Sequence, residues 1–212
     1  MPAPLLNQRD LDFMLYELFD VEAITARERY ADHNRETFDA AINTARVVAE
    51  KYFLPIRQKV DTDQPTFDGQ RVQMIPEINL ALDAVVDAGL AIPSADYEQG
   101  GMQLQGLVTA ASGAYLNAAA CTTMGYLSLT NAKANLIDAH GTDEQKRLWV
   151  APMRSGRFAG TMAMTEPGAG SGLADLTTTA RPVDDGTYRL TGNKIFISGG
   201  GHELNENIVH LV

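Results

Sequence analysis

Residues 158–172 read FAGTMAMTEPGAGSG, and the chain changes character there. Phe158 to Met164 is a short apolar run with the length of a strand. Met164 to Gly172 (MTEPGAGSG) is too rich in glycine for either regular element. Beyond it, LTTTAR (176–181) is β-branched, TYRL (187–190) follows, and Asp185-Gly186 between them signals a hairpin. KIFIS (194–198) and IVHLV (208–212) are two further strand candidates. IVHLV reaches residue 212 with no closing turn, which leaves unpaired edges and an uncovered face. The expectation is a chain cut inside a domain.

Everything ahead of residue 158 reads as helix. Leu11, Met14, Leu15, Leu18 and Phe19 fall on one helical face, and Phe38, Ala41, Ile42, Ala45, Ala49 and Tyr52 repeat the pattern, with Pro55 marking the expected end. Asp61 to Gln70 (DTDQPTFDGQ) is a loop by composition. Ile78, Leu82, Val85 and Val86 form another stripe between Pro76 and a Gly89 suited to a left-handed cap. Asp96 to Gly101 is again loop. Leu104 to His140 is rich in small residues, which predicts a central, well-buried helix pair ended by Gly141. Thr142 and Gln145 fit a capping box opening a short helix up to Pro152. The fold class expected is α+β: an all-α helical domain over 1–157 that packs as one unit, followed by an incomplete antiparallel β domain over 158–212.

The chain has 212 residues, 45% apolar, and a formal net charge of −10. A core of useful size can be buried, and an acidic surface disfavours nucleic acid and anionic membranes. Cys121 is the single cysteine, so no internal disulfide forms, and it is expected as a small buried side chain. The N-terminus lacks a basic region followed by an apolar run, and no stretch approaches the ~20 apolar residues of a membrane span. A soluble, cytoplasmic protein is expected.

MTEPGAGSG is neither a P-loop, since no Gly-Lys-Ser/Thr follows, nor a dinucleotide fingerprint, since position 173 is Leu. A glycine-rich loop after a strand exposes backbone N–H groups, here with Thr165 and Ser171 as hydroxyl donors, and can hold a phosphate or a polarised carbonyl. It serves equally as a tight turn between strands. His33, His140, His202 and His210 show no metal-ligand spacing, and no metal is assigned. Asp184 and Asp185 read as solvated turn residues.

TEPGAGS at 165–171 resembles the TEP-x-AGSD signature of acyl-CoA dehydrogenases. Gly141 to Lys146, the Ser155 to Gly160 entry and the G-x-K-x-x-I-[ST] segment at Gly192 to Ser198 resemble further motifs of that family, in the same order. The extended N-terminus and the ending ISGGGHELNENIVHLV look most like its longer-chain bacterial branch. The resemblance implies a helical domain, a middle β domain and a C-terminal helical bundle. It implies FAD between the last two, an acyl-CoA substrate dehydrogenated to a 2-enoyl-CoA, electron-transfer flavoprotein as partner, and a homo-oligomer at full length. Carried over by motif position, Met164 and Thr165 would contact the flavin ring. Gly170 and Ser171 would sit near pyrophosphate or CoA. Phe196 and Ser198 would flank the isoalloxazine, where many relatives have Trp and Thr; an ordinary strand pair is the plain reading of those two. Met162 reads as core.

Gly172 departs from the signature, where Asp is usual, and this puts the rigidity of the loop in question. No catalytic residue is assigned, because the family's glutamate base lies in the C-terminal domain and Glu166 reads as a structural carboxylate. The expected function is therefore the N-terminal part of a flavin-dependent acyl-CoA dehydrogenase, inactive by itself. The alternatives are a non-catalytic interaction module or pseudoenzyme, or a flavin oxidase or monooxygenase of the same fold.

Overall fold

A computed structural model describes residues 4–212. Asn7 caps α1 (Gln8–Asp12), its side chain accepting from Arg9 N, and a π turn continues over Phe13–Leu18. Only Leu11 and Leu15 of the expected stripe are buried; Met14, Leu18 and Phe19 are exposed. The π turn is the cause, because i→i+5 bonding adds a residue per turn and rotates the stripe off the core.

Asn34 and Thr37 form a capping box for α2 (Arg35–Val48), which buries Phe38, Ala41, Ile42, Ala45 and Val48. Pro55 does not end the helical path. A π turn over Ala49–Phe53 and a 3-10 turn over Leu54–Ile56 lead into α3 (Arg57–Thr62). Pro55 sits in the first turn of the 3-10 piece, where its missing N–H would have no partner anyway. The expected loop at 61–70 is likewise shorter than read. β1 (Thr66–Phe67) pairs antiparallel with β2 (Val72–Gln73), and Asp68 Oδ1 accepts from Gln70 N and Arg71 N at 2.8 Å each. This hairpin is the departure from an all-helical first part. α4 (Glu77–Asp87) follows Pro76 and ends at Gly89, whose φ is +71°.

α5 (Gly106–His140) realises the expected pair as two arms that meet at Ala120, where φ −159° and ψ 85° break the helix. Cys121, just past the break, is exposed rather than buried, because the change of axis turns positions 121 and 122 outward. Leu11, Val21, Phe38, Phe53, Val85, Val108, Leu116 and Leu127 belong to one hydrophobic cluster joining α1 to α5. The Thr142 capping box opens α6 (Asp143–Gln145), and the path runs through a π turn (Lys146–Val150) into α7 (Ala151–Arg154), past Pro152.

β3 (Phe158–Met162) pairs with β6 (Asn207–Leu211), and the pairing is parallel. β4 (Thr179–Pro182) and β5 (Tyr188–Thr191) form the hairpin read from Asp185-Gly186, antiparallel, with Gly186 at φ +82°. The α+β class holds, while the antiparallel expectation applies to the hairpin and not to β3–β6. KIFIS is not a strand. Its backbone and lysine bond to the glycine loop instead of a neighbouring strand, and Phe196 turns into the left-handed region at φ +57°. Met162, expected in the core, is 44% exposed at the end of β3.

The second arm of α5 covers β3. Thr130 Oγ1 accepts from Gly160 N at 3.0 Å, and a Cβ at position 160 would stand 3.1 Å from Lys133 Cβ. Glycine is therefore what lets helix and strand approach. Among the described residues no helix is long and apolar enough to cross a membrane.

Lys133 lies in this junction, 3% exposed, and its Nζ has no partner among the described residues. Burial pushes its ammonium down to about 8 from an ordinary 10.5. The unfolded chain therefore binds more protons between those two values, and the burial cost is fully present below pH 8. Lys133→Met is expected to stabilise the chain by on the order of 2 kcal/mol at pH 7. The gain shrinks as pH rises from 8 towards 10.5. Urea unfolding at both ends of that window checks it, and equal stability at pH 7 would contradict it.

Candidate functional site

β3 delivers the chain into the glycine loop, and Ala163 N extends the ladder by donating to Leu211 O at 2.7 Å. From there the loop is held at successive residues. Met164 O accepts from Lys194 Nζ at 3.0 Å, and Thr165 O accepts from Ile195 N at 3.0 Å. Glu166 and Ala169 exchange backbone hydrogen bonds of 2.9 and 3.1 Å, which closes a turn over Pro167 and Gly168.

The Glu166 side chain is the centre of this arrangement and is 3% exposed. Its Oε2 accepts from the amide and the hydroxyl of Thr177, both at 2.7 Å. Its Oε1 accepts from Thr178 N at 3.0 Å, from Lys194 Nζ at 2.9 Å and from the Thr178 hydroxyl. The Thr178 hydroxyl, then the Thr177 hydroxyl and amide, then Lys194 hold the carboxyl well below the usual carboxylate range. Such a group is a poor proton acceptor, in keeping with a structural carboxylate.

Met164 and Thr165 lie half-buried at the root of the loop, and the two bonds from residues 194–195 bring them beside Phe196. Gly170 and Ser171 are exposed at its tip, and Ser198 is exposed on the facing segment. No backbone hydrogen bond joins Gly170 or Ser171 to Phe196 or Ser198 among the described residues. Phe196 is 87% exposed and left-handed, a conformation that costs a bulky residue on the order of 1 kcal/mol and that collects at working surfaces. Just beyond Ser198, Gly199 at φ +65° turns the chain so that His202 meets the Tyr126 ring edge-on, with centroids 5.3 Å apart.

The departure at Gly172 has a local answer. A Cβ there would stand 2.6 Å from Asp175 Oδ2, and Asp175 N donates to Gly172 O at 3.1 Å. A carboxylate from three residues downstream thus fills the place a side chain at 172 would take. Thr177, Thr178 and Lys194 are the site residues that sequence reasoning did not single out. The signal for them was Glu166 itself, since a carboxylate following a buried strand must find donors, and two adjacent threonines supply hydroxyls as well as amides.

The helical layer leads directly into β3, and the TEP-glycine loop follows that strand, in the order of the motifs that resemble those of acyl-CoA dehydrogenases. Residues 35–157 match the acyl-CoA dehydrogenase N-terminal domain and residues 161–207 the middle domain. The chain belongs to the acyl-CoA dehydrogenase family. It is 35% identical over 204 residues to the 3-methylmercaptopropionyl-CoA dehydrogenase of Ruegeria pomeroyi, covering 96% of this chain and 35% of that protein. It is 30% identical over 217 residues to a butyryl-CoA dehydrogenase of Syntrophomonas wolfei, covering 98% and 35%. The crystal structure of an acyl-CoA dehydrogenase from Geobacillus kaustophilus matches with a TM-score of 0.66 at 26% identity, covering 84% of this chain and 43% of that one. The chain thus spans about a third of the length of these curated relatives.

The Glu166 brace has an acid limit. Its folded-state pKa lies below the ordinary 4.5, so its contribution is complete above that value and is lost as pH falls towards the folded pKa. Amide exchange at Thr177 and Thr178 is expected to accelerate between pH 4.5 and pH 2, after correction for intrinsic rates, and to do so earlier than in the helical layer. Glu166→Gln is expected to show the faster exchange already at pH 6. Exchange at these two amides that tracks the helices across the whole range would contradict the brace.

Proposed function

We propose that the chain supplies the helical layer and the flavin-facing loop of an FAD-dependent acyl-CoA dehydrogenase that converts an acyl-CoA thioester to a 2-enoyl-CoA. The observation that carries this is the orientation of residues 164–165. Both carbonyls are tied back to Lys194 and Ile195, and among the described residues their N–H groups have no backbone partner. The Thr165 N–H, antiparallel to the bonded Met164 carbonyl in the same planar peptide, therefore faces away from that tie, on the residue that also carries a hydroxyl, and the exposed Phe196 follows Ile195 directly. An acceptor-rich, flat ring system fits such a face, because donors near a flavin raise its electron affinity and an aromatic stacks on it.

Met164, Thr165, Phe196 and Ser198 would meet the ring, and Gly170 and Ser171 the phosphate side. FAD, when bound, would supply the acceptor for the hydride that leaves the substrate's β carbon. The residues of this chain orient that ring and shield its face. Glu166 does not act as the base, since its lone pairs are occupied by five donors. The base and the other wall of the site come from the family's C-terminal domain. The reading further holds that 1–157 and 158–212 are separate domains and that electron-transfer flavoprotein reoxidises the flavin. It holds also that the full-length protein is a cytoplasmic homo-oligomer acting in fatty-acid metabolism.

One wall without the other loses contacts and the exclusion of water. FAD titrated into the 212-residue chain is expected to bind saturably but weakly, about 10 µM or weaker, and to be lost on gel filtration. Thr165→Ala is expected to weaken binding a further several-fold, on the scale of one lost hydrogen bond of about 1 kcal/mol. No dye reduction with butyryl-CoA is expected. A titration that shows no binding would overturn the flavin assignment. Stoichiometric yellow protein, or turnover, would overturn the single-wall account.

A further inference from the structure

The brace holds one more donor than its carboxylate needs. Thr177 and Thr178 give Glu166 two amides and two hydroxyls, which already match the roughly four lone-pair sites of a carboxylate. Lys194 adds a fifth, so satisfying Glu166 is not what requires a lysine. Its separate contact is with the loop: Nζ donates to Met164 O at 3.0 Å while Glu166 Oε1 accepts from it at 2.9 Å. The next residue along repeats the action, Ile195 N donating to Thr165 O at 3.0 Å. Two consecutive residues thus tie back two consecutive carbonyls, and Phe196 follows immediately in its left-handed turn.

We propose that Lys194 is the positioning residue of the flavin-facing loop, turning the Met164 carbonyl inward so that the Thr165 N–H and Phe196 face the ligand together. This rests on the flavin reading above. The role is geometric rather than electrostatic. The Lys194 side chain is 16% exposed and the Glu166 side chain 3%, so the two charges neutralise each other in a nearly dry pocket and leave little net field at the loop surface. Anchoring at a fixed point, with a stem long enough to pass Glu166 and reach a carbonyl thirty residues away in sequence, is what the lysine contributes.

The test combines FAD titration with amide exchange on the same 212-residue protein. In Lys194→Met the FAD dissociation constant is expected to rise about tenfold, the scale of losing a charge-assisted hydrogen bond. Exchange at Ile195 is expected to accelerate, while Thr177 and Thr178, still bonded to Glu166, keep their protection. Lys194→Arg, which retains a long cationic donor, is expected to recover part of the affinity. Unchanged FAD affinity in Lys194→Met overturns the role of Lys194 and leaves the flavin reading standing. Absence of FAD binding in the unsubstituted chain overturns both. Loss of protection at Ile195, Thr177 and Thr178 together shows general structural support and also overturns the positioning role.

Discussion

A carboxylate taken out of water must be met by donors, and Glu166 imposes that requirement on everything around it. Its partners come from residues 177–178 and residue 194, which flank the two strands of the β4–β5 hairpin, so its carboxylate ties the glycine loop to both sides of that hairpin. The charge therefore does the joining that a larger sheet would otherwise do. With two separate two-stranded ladders among its described residues, the β layer has little cross-strand bonding to define the relative places of its loops. The glycine loop has a shape because Met164 and Thr165 are held at their carbonyls and Glu166 at its carboxylate, while Gly168 and Gly170 add no side chains at the tip.

The helical layer gives this junction something rigid to stand on. The second arm of α5 lies against β3, and Gly160 removes the side chain that would keep them apart. Thr130 then bonds directly to the strand. Because the loop begins one residue after β3, the direction in which it leaves the sheet is set by a helix whose own axis is fixed by the break at Ala120. Lys133 is the costly element of that junction, a long polar side chain pressed against a glycine with its ammonium unpaired among the described residues.

Much of the helical layer was legible because its cues are local. The Thr142 cap, Gly89, and the Phe38 to Ala49 stripe each depend on residues within a turn or two of each other, as does the Asn34 cap that the structure adds. The reading went astray where a π turn changed the period, as at Met14 and Leu18, or where a proline sat in a first turn, as at Pro55. In the β part, periodicity could not separate a strand from a strap. KIFIS has strand composition, yet its bonds run to a loop about thirty residues away in sequence. The parallel pairing of Phe158 with Asn207 is a long-range fact that no hairpin signal encodes. At the site, the motif resemblance pointed to the loop, and the local pattern pointed to its glycines. What neither supplied was the inward set of contacts, because Thr177 and Thr178 read as generic β-branched residues until the buried carboxylate is seen.

The central claim is that residues 164–172 and 194–198 form a single ligand-facing surface whose shape is held from below by Glu166. Hydrogen–deuterium exchange of the chain with and without saturating FAD tests it directly. The account predicts that added FAD slows exchange in peptides spanning 162–172 and 194–199, in parallel, with little change in peptides from the α5 arms. Protection centred on the helical layer, or in only one of the two segments, would contradict it.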